Sequence, residues 1–140
     1  MVYADTSFFV SVYISDRHSL EADKLLASGG RVCITALHRS EFAHAVTQQV
    51  FRKQLSLPES NRIFAELERD CAERVWDEVG MPLNAFSRCA GIARRHGPRL
   101  GIRTLDSLHV ACALELKAES FWTFDERQAK LAKAEGLTIP

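Results

Sequence analysis

The stretch "VYADTSFFVSVYI", residues 2–14, sets a single carboxylate, Asp5, between two apolar runs. The run before it is short and continuous, as in a buried strand, and the one after it is long enough for a helix. A carboxylate at such a junction is costly to bury without a partner. Asp5 is therefore either the cap of a helix starting at Thr6 or one piece of a charged site.

The pattern around this junction repeats along the chain. "MVYA" at the start, "RVCIT" (31–35) and "SFWTF" (120–124) read as short buried strands, and "LTIP" (137–140) as a clipped last one. Helical patterns fill the intervals at 7–14, at 18–28 up to the stop signal Gly29-Gly30, and at 36–54 with Phe42, Val46 and Val50 on one stripe. Further helices run from Pro58 to about Cys71, then over 83–96, 106–118 and 125–135. Strands alternating with helices define an α/β fold with a mainly parallel central sheet. No repeat, low-complexity tract or linker divides residues 1–140, which read as a single domain.

Composition narrows the class. The chain is 46% hydrophobic and 26% charged with zero formal net charge, so no whole-molecule field attracts nucleic acid or membrane. Any electrostatic specialisation is local. Thirteen of the 18 positive residues are Arg, suited to bidentate grip on phosphate or carboxylate. The four cysteines, Cys33, Cys71, Cys89 and Cys112, form no metal-ligand spacing and read as buried thiols of a reducing compartment. With no basic leader and no membrane-length apolar run, the expectation is a cytoplasmic protein.

In open parallel sheets, ligands bind beyond the carboxyl ends of the strands. Asp5 and Asp125 both stand at such ends, Glu41 lies in the first turns of the helix after "RVCIT", and Asp106 opens the helix "DSLHVACALEL". Singly, each has an ordinary reading. Asp5 and Asp106 are good helix caps, Asp125 with Gln128 has capping-box spacing, and Glu41 falls off the apolar stripe of its helix toward solvent. Caps do not explain why all four map to one edge. Like charges about 4 Å apart at an effective dielectric near 20 repel by about 4 kcal/mol. Raised pKa values or a bound cation relieve this. An all-oxygen donor set selects hard ions, Mg²⁺ or Mn²⁺, which suit displacement at phosphorus.

Taken in order, "ADTS" (4–7), "SEF" with Glu41, "LDSLHVACA" with Asp106 and "TFDERQAKLA" with Asp125 resemble a PIN domain over essentially the whole chain. More narrowly, they resemble the VapC-type toxins of bacterial toxin–antitoxin pairs. The resemblance implies a PIN-like α/β/α sandwich and a Mg²⁺- or Mn²⁺-dependent endoribonuclease acting on RNA. It also implies a homodimer inhibited by a small cognate antitoxin protein. Position by position, Asp5, Glu41, Asp106 and Asp125 match the family's catalytic acids. Asp5 and Asp106 match its metal ligands, with Glu41 and Asp125 completing the site directly or through water. Ser7 and Thr123 match its supporting hydroxyls, although local backbone bonding accounts for such residues equally well. The clipped C-terminus departs from the family pattern, in which the final strand is fuller.

His109, three residues after Asp106, is placed either to touch an acid or phosphate or to serve as a structural histidine. His38 and His44 flank Glu41 with weaker claims. The acid-free segment 80–105 carries Arg88, Arg94, Arg95, Arg99 and Arg103. Arg94, Arg95, Arg99 and Arg103 form a candidate RNA-binding rim, the alternative being a solvated helix face and loop. Arg127 is a further phosphate candidate. The apolar surface of Phe8, Phe9, Val12 and Tyr13 and of the helices over 36–71 reads first as core and second as a dimer face or antitoxin groove. Two rivals stand beside a nuclease. One is a PIN-like module that binds RNA or protein without cutting. The other is an aspartyl phosphotransferase, for which Ser7 occupies the place where a second Asp is needed.

Overall fold

The computed structural model describes all residues, Met1–Pro140. Strands β1 (Val2–Ala4), β2 (Val32–Ile34), β3 (Asp77–Glu78) and β4 (Ser120–Trp122) form one sheet in the order β3-β2-β1-β4, every pairing parallel. Helices α1 (Thr6–Tyr13), α2 (Ser19–Ala27), α3 (Ala36–Phe51) and α4 (Leu57–Ala72) precede β3. Helices α5 (Ala85–Leu100) and α6 (Thr104–Glu115) lie between β3 and β4, and α7 (Glu126–Ala134) follows.

The two-residue side-chain period divides the core. Val2, Ala4, Val32, Ile34 and Trp122 pack with Phe8, Phe9, Phe42, Val46 and Leu67 of α1, α3 and α4. Their alternates Tyr3, Cys33 and Phe121 pack with Ile92, Val110, Ala111 and Leu131 of α5, α6 and α7. The sheet is thus buried on both faces, the expected α/β/α sandwich, and this is why its strands are short continuous apolar runs. Gly30 makes the turn into β2. It sits at φ +116, and a Cβ there would come within 2.8 Å of Val2 Cγ2.

Three boundaries differ from the sequence reading. The edge strand β3 carries Asp77 and Glu78, which no hydrophobic pattern reveals, and charge on an edge strand protects it from further pairing. "LTIP" is not a strand. Its tie to the sheet is a single bond, the Phe121 N–H donating to Thr138 O at 2.8 Å. Helix α5 does not stop before "GPR" but runs through Pro98 in its last turn and ends at Gly101, whose φ is +58. No helix is long and apolar enough to cross a membrane.

Candidate active site

β1 is a central strand, and its ladder continues one residue into the site: the Asp5 N–H donates to Trp122 O of β4 at 2.8 Å. Asp5 has extended backbone and caps α1, its Oδ1 accepting from the Phe8 N–H at 3.2 Å. The same oxygen accepts from Ser7 Oγ at 2.5 Å, and Oδ2 lies 2.6 Å from Thr123 Oγ1. Cap and site are therefore one residue. Only 5% of Asp5 is exposed. Burial pushes its carboxyl pKa up, against the hydrogen bonds from Ser7 and Thr123 and the charge of His109.

Thr123 Oγ1 also lies 2.8 Å from Gln128 Oε1 and accepts from the Asp125 N–H at 3.0 Å. One hydroxyl has one proton, so it donates to Asp5 or to Gln128 but not to both.

Glu41 reaches the site because of two histidines. His38 is fully buried, and its Nε2–H donates to Ala4 O at 2.7 Å, fastening the start of α3 to the end of β1. A carbonyl only accepts, so Nδ1 is left to accept from the Thr35 N–H at 3.0 Å. Burial lowers the His38 pKa to about 3, and the ring stays neutral. With α3 so placed, Glu41 Oε2 accepts from Thr6 Oγ1 at 2.7 Å and from His109 Nε2. Burial raises the Glu41 pKa, but the bond and charge of His109 outweigh it and hold the carboxyl below its usual range. The other His109 nitrogen, Nδ1, is 2.9 Å from the Tyr3 hydroxyl. Glu41 does not face solvent as its helical position suggested. Sequence periodicity could not reveal a partner 68 residues away.

Asp106 does not open its helix. α6 begins at Thr104, and Asp106 sits in the first turn, Oδ2 accepting from the Arg103 N–H at 3.4 Å and from Arg103 Nε at 2.9 Å. Asp125 caps α7, Oδ1 accepting from the Arg127 and Gln128 N–H groups at 2.8 and 3.0 Å. Gln128 does not close a capping box. Its side chain is buried, and Nε2 donates to Asp106 O at 3.2 Å, tying α6 to α7. This tie was missed, although a Gln on the same face of α7 as Leu131 and Ala132 is the signal that marks it.

All four acids line one cavity of about 170 Å³ with Thr6, Ser7, Arg103, His109 and Gln128, and no hydrophobic residue contributes to it. Much of the expected repulsion is met by the protein itself. Arg103 pairs with Asp106, His109 and Thr6 hold Glu41, helix amides hold Asp125, and burial favours a proton on Asp5. The all-oxygen chemistry of the acids suits Mg²⁺ or Mn²⁺. As the side chains stand, however, no three His, Cys, Asp or Glu groups are drawn together around one metal position. The Arg103 guanidinium contacts both Asp106 carboxylate oxygens, and its side chain is 70% exposed.

The arginine rim is not continuous. Of the four arginines, Arg103 alone lines the cavity, and Arg95 is turned to Glu135 at 2.7 Å. Arg94 and Arg99 are exposed on α5. Arg88 pairs with Glu115. His38 and His109 prove to be interior residues that position α3 and Glu41, and His44 is exposed outside the cavity.

Parallel strands capped at their carboxyl ends by acids, between two helical layers, define a PIN-type architecture. The PIN domain model matches residues 2–134, and the chain belongs to that family. No curated protein sequence matches it. Among solved structures it is similar to Mycobacterium tuberculosis VapC20, a sarcin–ricin loop cleaving toxin. That likeness has 16% identity and a TM-score of 0.71 over 99% of this chain and 97% of that one. FitAcB from Neisseria gonorrhoeae gives 16% identity and 0.74 over 99% and 96%. VapBC2 from Rickettsia felis, bound to a promoter DNA fragment, gives 15% and 0.68 over 100% and 98%. The fold is that of the VapC toxins.

Proposed function

We propose that this protein is a Mg²⁺- or Mn²⁺-dependent endoribonuclease and the toxin of a toxin–antitoxin pair. The observation that carries this reading is the meeting of Asp5, Glu41, Asp106 and Asp125, from four distant segments, in one wholly polar cavity. PIN-family membership and the likeness to a toxin that cleaves the sarcin–ricin loop support it.

Asp5 and Asp106 would hold the metal, with Glu41 and Asp125 ordering its surrounding waters. A bound divalent ion supplies an activated water and neutralises charge at the scissile phosphate. Ser7 and Thr123 fix the plane of the Asp5 carboxylate. Arg103, released from Asp106, is the cation nearest to take a phosphate. His109 and Thr6 keep Glu41 ionised and aimed at the cavity.

A small antitoxin, a second copy of the chain and RNA are the expected partners, in a cytoplasmic setting. The test is RNA cleavage by the purified protein with Mg²⁺ or Mn²⁺ against EDTA, alongside growth arrest on expression and its relief by the neighbouring small open reading frame. Cutting that persists in EDTA overturns the mechanism. The Arg103–Asp106 ion pair favours a second reading, a PIN module that binds RNA without cutting. That reading predicts RNA binding with no metal-dependent cleavage.

A further inference from the structure

Beside the acids, the connection before α2 and the β4–α7 connection come together. The His18 and Phe124 rings are stacked at 4.5 Å and nearly parallel, 3° apart. Both rings line a cavity of about 580 Å³ with Arg17 and Arg127, and this cavity meets the acidic one at Asp125. On its other side, His18 lines a cavity of about 330 Å³ that shares Thr6, Ser7 and Glu41 with the acids. His18 thus stands between two cavities that each share lining residues with the candidate active site.

Arg17 and Arg127 are exposed, and neither has a carboxylate partner, unlike Arg31, Arg39, Arg88, Arg95 and Arg103. Arg17 Nε donates to His18 Nε2 at 2.9 Å, which fixes the guanidinium beside the ring. Asp125 and Glu126 also line this cavity, so attraction for an anion is local to the two guanidiniums. Aromatic faces beside unpaired arginines form the chemistry that holds single-stranded nucleic acid, rings stacking on bases and cations tracking the backbone. The cavity volume lies in the range of small-molecule sites.

We propose that His18, Phe124, Arg17 and Arg127 form a nucleotide subsite for single-stranded RNA flanking the cleavage position. A base stacks on the His18–Phe124 pair, and Arg17 and Arg127 take the adjoining phosphates. The proposal rests on the nuclease reading only for its ligand, because the subsite itself needs no metal.

The test is binding of a fluorescent single-stranded RNA oligonucleotide in EDTA, read by anisotropy, with 2-aminopurine placed at successive positions to report stacking. Phe124→Leu and His18→Ala are expected to weaken binding about 5- to 150-fold and to abolish 2-aminopurine quenching at one position. Phe124→Tyr keeps both. The exposed pair Arg17→Ala/Arg127→Ala is expected to lower the slope of log affinity against log salt by about 1.4. It does so whether or not Phe124→Leu folds well. Wild-type affinity, quenching and salt slope in these variants, or no binding by the wild type, overturns the subsite. Variant-sensitive binding without Mg²⁺-dependent cleavage sinks the nuclease reading and leaves the subsite standing. Cleavage indifferent to all four positions does the reverse.

Discussion

Two regions of this molecule gather acids, and they handle them in opposite ways. At the β3 edge, Asp77 pairs with Arg31, and Glu68 and Glu78 share Arg39. The Glu68 and Glu78 side chains are 65% and 55% exposed, so water already stabilises their charge. At the cavity, Asp5 is almost wholly removed from water, burial pushes its pKa up, and it depends on two hydroxyls and one helix amide. A carboxylate in water needs no particular neighbour, whereas one in the interior makes each neighbour matter. The contrast separates acids that water stabilises at a sheet edge from acids that the protein itself must hold in the candidate site.

The largest break in that contrast comes from Asp5→Asn and Asp106→Asn. Each is expected to cut RNA cleavage by about 10²–10³-fold, the scale of losing a principal charge-stabilising group. Asp5→Asn should at the same time raise Tm at neutral pH. The sign follows from the raised pKa: the folded state holds the Asp5 proton to higher pH than the unfolded chain does. Stability therefore falls as pH rises through that window, and an uncharged side chain escapes the loss. Thermal melts of the two proteins at pH 5 and pH 8 check this, the gap widening at pH 8.

His38→Gln acts on the buried side of the comparison through stability. The unfolded chain takes up a proton below the ordinary histidine value of 6.5, and the folded ring does not until about 3. The wild type should therefore lose stability as pH falls from 6.5 toward 3, and the variant should show a flatter slope. At pH 7, His38→Gln should cost about 1–3 kcal/mol through groups left unpaired. Urea midpoints across pH measure both effects.

Thr123→Val sharpens the site without removing an acid. It deletes a hydrogen bond that holds the Asp5 pKa down, so the acid limb of the pH–rate profile should move to higher pH. It should also cost about 1–3 kcal/mol, because Gln128 Oε1 and the Asp125 N–H lose a partner. The smallest effect belongs to the β3 edge. Arg31→Ala and Arg39→Ala should each change stability by about 1 kcal/mol or less, and the change should shrink further in salt.

Much of this contrast is legible before any fold is known. The strand-to-helix positions of Asp5 and Asp125 follow from local pattern, because a strand end and a helix start are written in neighbouring residues, whereas Ser7 and Thr123 are marked only by the family resemblance. β3 escapes notice because two charged edge residues carry no hydrophobic signal. Within the positive stripe over 80–105, Arg95 turns to Glu135 and Arg103 to Asp106 while Arg94 and Arg99 stay exposed, and no local pattern tells these apart.

The sequence alone determined the alternation of strands and helices, the parallel sheet it requires and the edge to which the acids belong. These rest on short-range periodicity and on the chirality of crossovers. Only the tertiary structure decided how three of the four acids are held: Glu41 by His109, Asp5 by Thr123, Asp106 by Arg103 and by Gln128 at its carbonyl. Apart from Arg103, those partners lie 22 to 118 residues away along the chain, and no local periodicity encodes a contact across such distances.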